Sequence, residues 1–94
     1  MEAQAFIGMM AALQSADNEL VRADMARSMI AANAVTAAQF GLVLDLFKND
    51  LTRLDVAKGT AKYVVNPRRA LGLAAKYQNS LLGQEFTLLM TSQR

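Results

Sequence analysis

The chain has 94 residues, 53% of them hydrophobic and 19% charged, which suits one folded domain with one core and excludes a largely disordered chain. Ten basic and eight acidic residues give a formal net charge of +2, too small an excess to indicate nucleic-acid binding unless the charges cluster. Cysteine and histidine are absent, which excludes disulfide bonds, thiolate or imidazole metal ligands and histidine acid–base chemistry.

Two helices are predicted at 2–14 and 19–32, separated by a turn at 15–18 that supplies capping residues. The predicted inward residues are Phe6, Met9, Met10 and Leu13 in the first helix, and Val21, Met25, Ala26, Met29 and Ile30 in the second. The N-terminal segment does not resemble a signal peptide, and no apolar run approaches the ~20 residues that a membrane span needs. These features leave the compartment open.

The next helix carries the strongest local signals and is predicted to be the centre of the fold. Thr36 and Gln39 have the spacing of a capping box, and Val35 and Phe40 have that of a hydrophobic staple. One face carries the apolar residues Phe40, Val43, Leu44 and Phe47, and Leu42 and Leu46 lie roughly opposite. A helix that is apolar on two sides is normally packed on two sides, so we expect neighbours to enclose it.

Three further helices are predicted near 51–65, 67–78 and 81–90. Asn66 is the expected cap of the middle one, because Pro67 suits a first helical position. The predicted inward residues of these helices include Leu51, Leu54, Val65, Leu71, Phe86 and Met90. The whole sequence therefore predicts an all-α fold, a compact bundle of five or six short helices in a single domain over 1–94.

A faint internal repeat supports this architecture. A shift of 31 residues aligns 19–27 with 50–58, and it places Gly41 on Gly72. We interpret this as a helix-turn-helix unit used twice. Because glycine is costly inside a helix, we interpret Gly41 and Gly72 as sites of close helix crossing, with an open backbone surface for a ligand as the alternative.

Several of these residues also carry a resemblance to a known family. The most specific motifs of this resemblance are Thr36-x-x-Gln39, Leu46-Phe47 and Arg53-Leu54-x-x-Ala57-Lys58. The chain resembles, over about 6–90, the helical domain catalogued as domain-of-unknown-function family 4476. The resemblance implies a small helical fold, found mostly in bacteria and often behind a signal peptide or within a longer protein. It implies no catalytic residues.

Enzymatic activity is not expected, and no catalytic residue, metal ligand or cofactor is assigned. The carboxylates lie mostly at helix starts or beside basic residues, where capping and the helix dipole place them without any catalytic role. Asp45 is the exception, since it lies among apolar residues, but we expect it and Gly41 to face outward. No phosphate-binding loop or nucleophile motif is present.

The favoured interpretation is a non-catalytic protein-interaction or adaptor module that binds a protein partner or a second copy of itself. Six methionines and several apolar residues exceed what a small helical core needs, and methionine adapts to irregular contact surfaces. Gap filling in an alanine-rich core is the alternative explanation for the methionines. The candidate partner-binding residues are Met10, Leu73, Leu81 and Leu88.

A nucleic-acid or anion-binding module is the second interpretation. Its candidate residues, predicted around one end of two helices, are Lys62, Arg68, Arg69 and Lys76. An anion at the start of a helix that opens with Arg68 and Arg69 is physically reasonable, because the helix dipole also favours negative charge there. The competing interpretation is a solvated basic face balanced by nearby aspartates.

Overall fold

The computed structural model describes residues 1–93, and these form an all-α fold as predicted. The α-helices are α1 (Ala3–Gln14), α2 (Glu19–Ala32), α3 (Ala37–Leu44), α4 (Asp50–Thr60) and α5 (Ser80–Thr91). A short 3₁₀ turn, Ala61–Tyr63, continues α4, and a long 3₁₀ helix spans Pro67–Lys76. One isolated parallel bridge joins Val35 to Val64.

Side chains at the helix starts define where the helices begin. The predicted capping box is confirmed. The Thr36 hydroxyl accepts a hydrogen bond from the backbone N–H of Gln39, and the side-chain oxygen of Gln39 accepts one from the backbone N–H of Thr36. Three other helices begin after an asparagine whose side chain accepts from the first turn, namely Asn18, Asn49 and Asn79. Each of these bonds satisfies amide groups that have no partner within the helix.

The expectation for α3 is correct on one side only. Phe40, Val43, Leu44 and Phe47 are completely buried. Leu42 on the other side is 51% exposed, so α3 is not enclosed all round. Gly41 is buried rather than outward, since a Cβ atom there would lie 3.0 Å from Leu73 Cδ2. This supports close packing at Gly41, whereas nothing lies within 4 Å of a Cβ at Gly72.

The segment predicted as the fifth helix differs in type and in capping. It is a 3₁₀ helix of ten residues, an unusual length because the hydrogen-bond geometry is poorer than in an α-helix. Pro67 takes its first turn as expected, but Asn66 does not cap it. The Asn66 side chain instead accepts a hydrogen bond from Ala37 N, at the start of α3. Asn66 therefore links two helices rather than starting its own.

The described helices form three consecutive pairs, which we call units. Unit 1 comprises α1 and α2, unit 2 comprises α3, α4 and the short 3₁₀ turn, and unit 3 comprises the long 3₁₀ helix and α5. The second helices stack in the order α2, α4, α5, and α3 packs on the 3₁₀ helix. The stacked helices run parallel, since Glu19 accepts from Lys48 N and Asp50 accepts from Asn79 N at adjoining helix starts.

Two equivalent arginines join the units. Arg22 donates to the Leu13 and Ala16 carbonyls of unit 1 and to the Leu46 carbonyl of unit 2. Its counterpart one repeat later, Arg53, donates to the carbonyls of Leu44, Phe47 and Lys76 and also pairs with Asp50. Each guanidinium therefore satisfies the end of its own unit's first helix and reaches into the following unit.

Four residues predicted to face inward are exposed instead: Val21, Leu51, Val65 and Leu71. Stacking explains the exposure of Leu51. Its helix α4 contacts both α2 and α5, and these contacts leave 66% of Leu51 exposed. The helical spacing identified Leu51 as an apolar position, but it could not show on which sides of α4 the neighbouring helices pack.

Candidate interaction surface

The starts of α2, α4 and α5 share one sequence feature, an asparagine cap followed two residues later by leucine. These leucines are Leu20, Leu51 and Leu81, and their exposed fractions are 74%, 66% and 71%. Because the three helices are stacked in parallel, equivalent positions form a row across the units. We call these three residues the leucine row.

One turn further along the same helices lies a second row, which is acidic. Asp24, Asp55 and Glu85 each follow a leucine of the row by four residues, so they occupy the same side of their helices. All three are exposed. Together, the leucine row and this acidic row form what we call the outer face.

Ion pairs connect neighbouring helices along the outer face. Arg27 pairs with Asp24 on its own helix and with Asp55 on α4, where Nη1 lies 2.9 Å from Oδ2. Lys58 lies 3.9 Å from Glu85 on α5. Arg27 thus serves two carboxylates, which leaves the Asp24–Arg27–Asp55 cluster with a net charge of −1.

A groove of about 430 Å³ opens on this face between α2 and α4. Its lining residues are Leu20, Ala23, Asp24, Arg27, Leu51, Thr52 and Asp55. In the repeat alignment the counterpart of Ala23 is Leu54, a buried residue of α4. The small side chain of Ala23 leaves space where leucine stands in the following unit.

The structure separates the four predicted partner-binding residues into two groups. Leu81 and Leu88 are 71% and 70% exposed on α5, in its first and third turns. Met10 and Leu73 are partly buried and pack against the core. Leu73 covers Gly41, so the expectation that Met10 and Leu73 are free surface residues is wrong.

The four predicted anion-binding residues do not form one cluster. Lys76, at the far end of the 3₁₀ helix, is bound to Asp45 with Nζ 2.5 Å from Oδ1. The ammonium of Lys62 lies 5.3 Å from the Tyr63 ring centroid. Arg68 and Arg69 are exposed and line an open groove of about 880 Å³, whose other lining residues are Asn66, Pro67, Thr91, Ser92 and Gln93.

Within residues 1–93, five carboxylates form ion pairs: Asp24, Asp45, Asp50, Asp55 and Glu85. Asp45 is exposed, as expected, and its partner is Lys76. In the same residues, no three carboxylates come together in a way that could hold a metal ion. None of the described helices is long and apolar enough to cross a bilayer.

Sequence reasoning missed the leucine row, although a signal was present. Leu20 received no role and Leu51 was predicted to be buried. Asn-x-Leu recurs at 18–20, 49–51 and 79–81, at intervals close to the 31-residue repeat. An apolar residue in the first turn after every cap is a regular feature that single-helix periodicity does not reveal.

Comparisons of the chain with protein-family models, with curated proteins and with solved structures found no match. The resemblance to domain-of-unknown-function family 4476 therefore stays a prediction.

Proposed function

We propose that this chain is a non-catalytic protein-interaction module that binds a partner protein through its outer face. The observation that carries the proposal is the leucine row, in which the same apolar residue stands exposed in each of three stacked units. Single exposed leucines are normal on protein surfaces. Three at equivalent positions of stacked helices form a repeated feature, and stacked repeats commonly bind partners through extended surfaces.

The energetics agree with a binding role for these leucines. At two-thirds exposure or more, the leucine side chains contribute little to the core. Complete burial of a leucine side chain is worth about 1.5–3 kcal/mol, so covering the row on association is a substantial source of affinity. The charged residues beside the row would form the polar rim that surrounds the apolar centre of many interfaces.

Affinity capture with three forms of the protein tests the proposal. We expect the wild type to retain a partner that a Leu20→Ser, Leu51→Ser, Leu81→Ser variant loses, with the melting temperature of the variant nearly unchanged because these side chains are exposed. The matched control is an Arg68→Glu, Arg69→Glu variant, which should retain the partner. Equal capture by the wild type and the leucine variant would contradict the proposal.

The alternative is anion binding beside Arg68 and Arg69, favoured by their exposure at the start of the 3₁₀ helix. It predicts the opposite result for the two variants, because only the arginine variant would lose its ligand. Binding of a nucleic acid should also weaken steeply with added salt. Lys76 is not needed in this alternative, because Asp45 already neutralises it.

A further inference from the structure

The groove between α2 and α4 is the part of the outer face with room for a side chain. Leu20 and Leu51 form two of its walls, and Ala23 and Thr52 also line it. The equivalent place between α4 and α5 holds Leu54 in the position of Ala23. The small side chain of Ala23 is one of the differences between this groove and its counterpart, and the groove volume of about 430 Å³ exceeds that of one apolar side chain.

The charge at the groove is incompletely balanced. Asp24 and Asp55 are exposed, and one guanidinium, that of Arg27, pairs with both. A cation on a partner would complete the pairing, whereas a partner carboxylate would add to the excess negative charge. Charge complementarity thus favours a basic partner, and like-charge contacts across an interface suppress wrong partners.

The spacing of the lining residues suits a helix. On each helix of the groove, the aspartate follows the leucine by four residues, which is about 6 Å at 1.5 Å per residue. A partner helix lying along the groove presents side chains one turn apart over the same distance. Laying an amphipathic helix into an apolar groove is a recurrent mode of peptide recognition.

We propose that the α2–α4 groove binds an amphipathic helix of a partner protein, with an apolar side chain entering between Leu20 and Leu51 and a lysine or arginine one turn away pairing with Asp24 and Asp55. This inference rests on the proposed interaction role of the outer face. Beyond that role, it specifies where the apolar side chain of the partner binds and that the partner is a basic amphipathic helix.

Nuclear magnetic resonance titration with synthetic peptides tests the inference. The probe is an alanine-rich helical peptide with one leucine and an arginine four residues later, and the matched probe has glutamate in place of the arginine. We expect the leucine–arginine peptide at millimolar concentration to shift the amide signals of Leu20, Ala23, Leu51 and Thr52. The glutamate peptide should bind about tenfold more weakly, which corresponds to 1.4 kcal/mol.

Two variants locate the binding. Ala23→Leu places in unit 1 the residue that unit 2 carries at the equivalent position, so it should fill the groove and abolish the shifts. Asp24→Asn with Asp55→Asn should leave the groove open and reduce the preference for arginine over glutamate. If Ala23→Leu lowers the melting temperature, the aspartate variant still tests the charge preference in a folded protein.

Four results would overturn the inference. One is equal binding of both peptides, and another is the absence of shifts at the groove with the leucine–arginine peptide. The third is shifts that depend on protein concentration alone, which would identify a second copy as the occupant. If Ala23→Leu still captures the natural partner while the leucine-row variant loses it, this inference fails and the proposed function stands.

Discussion

Tyr77 illustrates how a single side chain contributes both to stability and to its pH dependence. Its ring packs 5.4 Å from that of Phe86, and the Arg53 guanidinium lies 5.5 Å from its centroid. Only 7% of the residue is exposed, and its hydroxyl has no hydrogen-bond partner within the described chain. Burial raises the pKa of Tyr77 above that of a free tyrosine; the charge of Arg53 opposes this rise and that of Asp50 adds to it.

We predict that Tyr77→Phe leaves the free energy of unfolding at neutral pH unchanged or raises it by up to about 1 kcal/mol, since it removes a buried hydroxyl without a partner. In the wild type above pH 10, the unfolded phenol loses its proton while the folded one keeps it. Stability should therefore fall as the pH rises, by at most about 1.4 kcal/mol per pH unit from this group. The variant should lack this part of the fall.

Urea denaturation between pH 7 and pH 11 measures both effects. Tyr63→Phe is the matched control for the general effect of removing a phenol. A Tyr77→Phe variant that loses stability at pH 7 and keeps the same alkaline slope would show that the hydroxyl is satisfied in solution.

At the scale of elements, the arginines between units do more than the salt bridges on the surface. Arg53 is 8% exposed and its partner Asp50 is also largely buried. The ion pair of Lys58 with Glu85 involves side chains that are more than half exposed, and such surface pairs contribute little. Between units, the buried arginines and helix ends therefore add to the shared hydrophobic core, whereas the exposed ion pairs add little.

We predict that Arg53→Met lowers the free energy of unfolding by about 3–5 kcal/mol, because it leaves three carbonyls without the guanidinium donor and the largely buried Asp50 without its countercharge. Arg22→Met should cost less, about 1.5–3 kcal/mol, since Arg22 is only partly buried and has carbonyl partners but no carboxylate. Arg68→Met is the exposed control and should change stability by less than about 0.5 kcal/mol. Denaturant unfolding measures all three, and a smaller loss for Arg53→Met than for Arg22→Met would refute this ranking.

At the scale of the whole molecule, unit 2 occupies a different environment from its neighbours. Its helix α4 contacts α2 and α5, and α3 packs on the 3₁₀ helix of unit 3. Units 1 and 3 each have one neighbour among the described units. In stacked repeats, stability comes from each unit and from its contacts with its neighbours, so the central unit gains most.

We predict that amide hydrogen exchange is slowest in unit 2, at residues such as Val43, Leu44, Val56 and Ala57. Exchange should be faster in the first turn of α1 and the last turn of α5, which lie at the ends of the stack. Exchange followed by nuclear magnetic resonance tests this order. Arg53→Met should accelerate exchange in unit 3 more than in unit 1, and uniform rates would contradict a stack of coupled units.

The sequence alone determined the start of α3, the all-α class and much of the core. A cap and the amides that it satisfies lie within three residues of each other, so Thr36 and Gln39 identify a helix start without any distant contact. Likewise, the spacing of Phe40, Val43 and Phe47 identified a buried face. These features depend on local chemistry and helical geometry.

Only the tertiary structure decided which apolar residues remain exposed and where the groove lies. Leu51 and Leu54 are both apolar residues of α4, yet one is 66% exposed and the other 3% exposed. Neighbours about thirty residues away in the chain determine this difference, as they determine that Asn66 accepts a hydrogen bond from Ala37 of α3 rather than capping its own helix. The exposure of a position depends on how the units stack, and residues far apart in the chain determine that stacking.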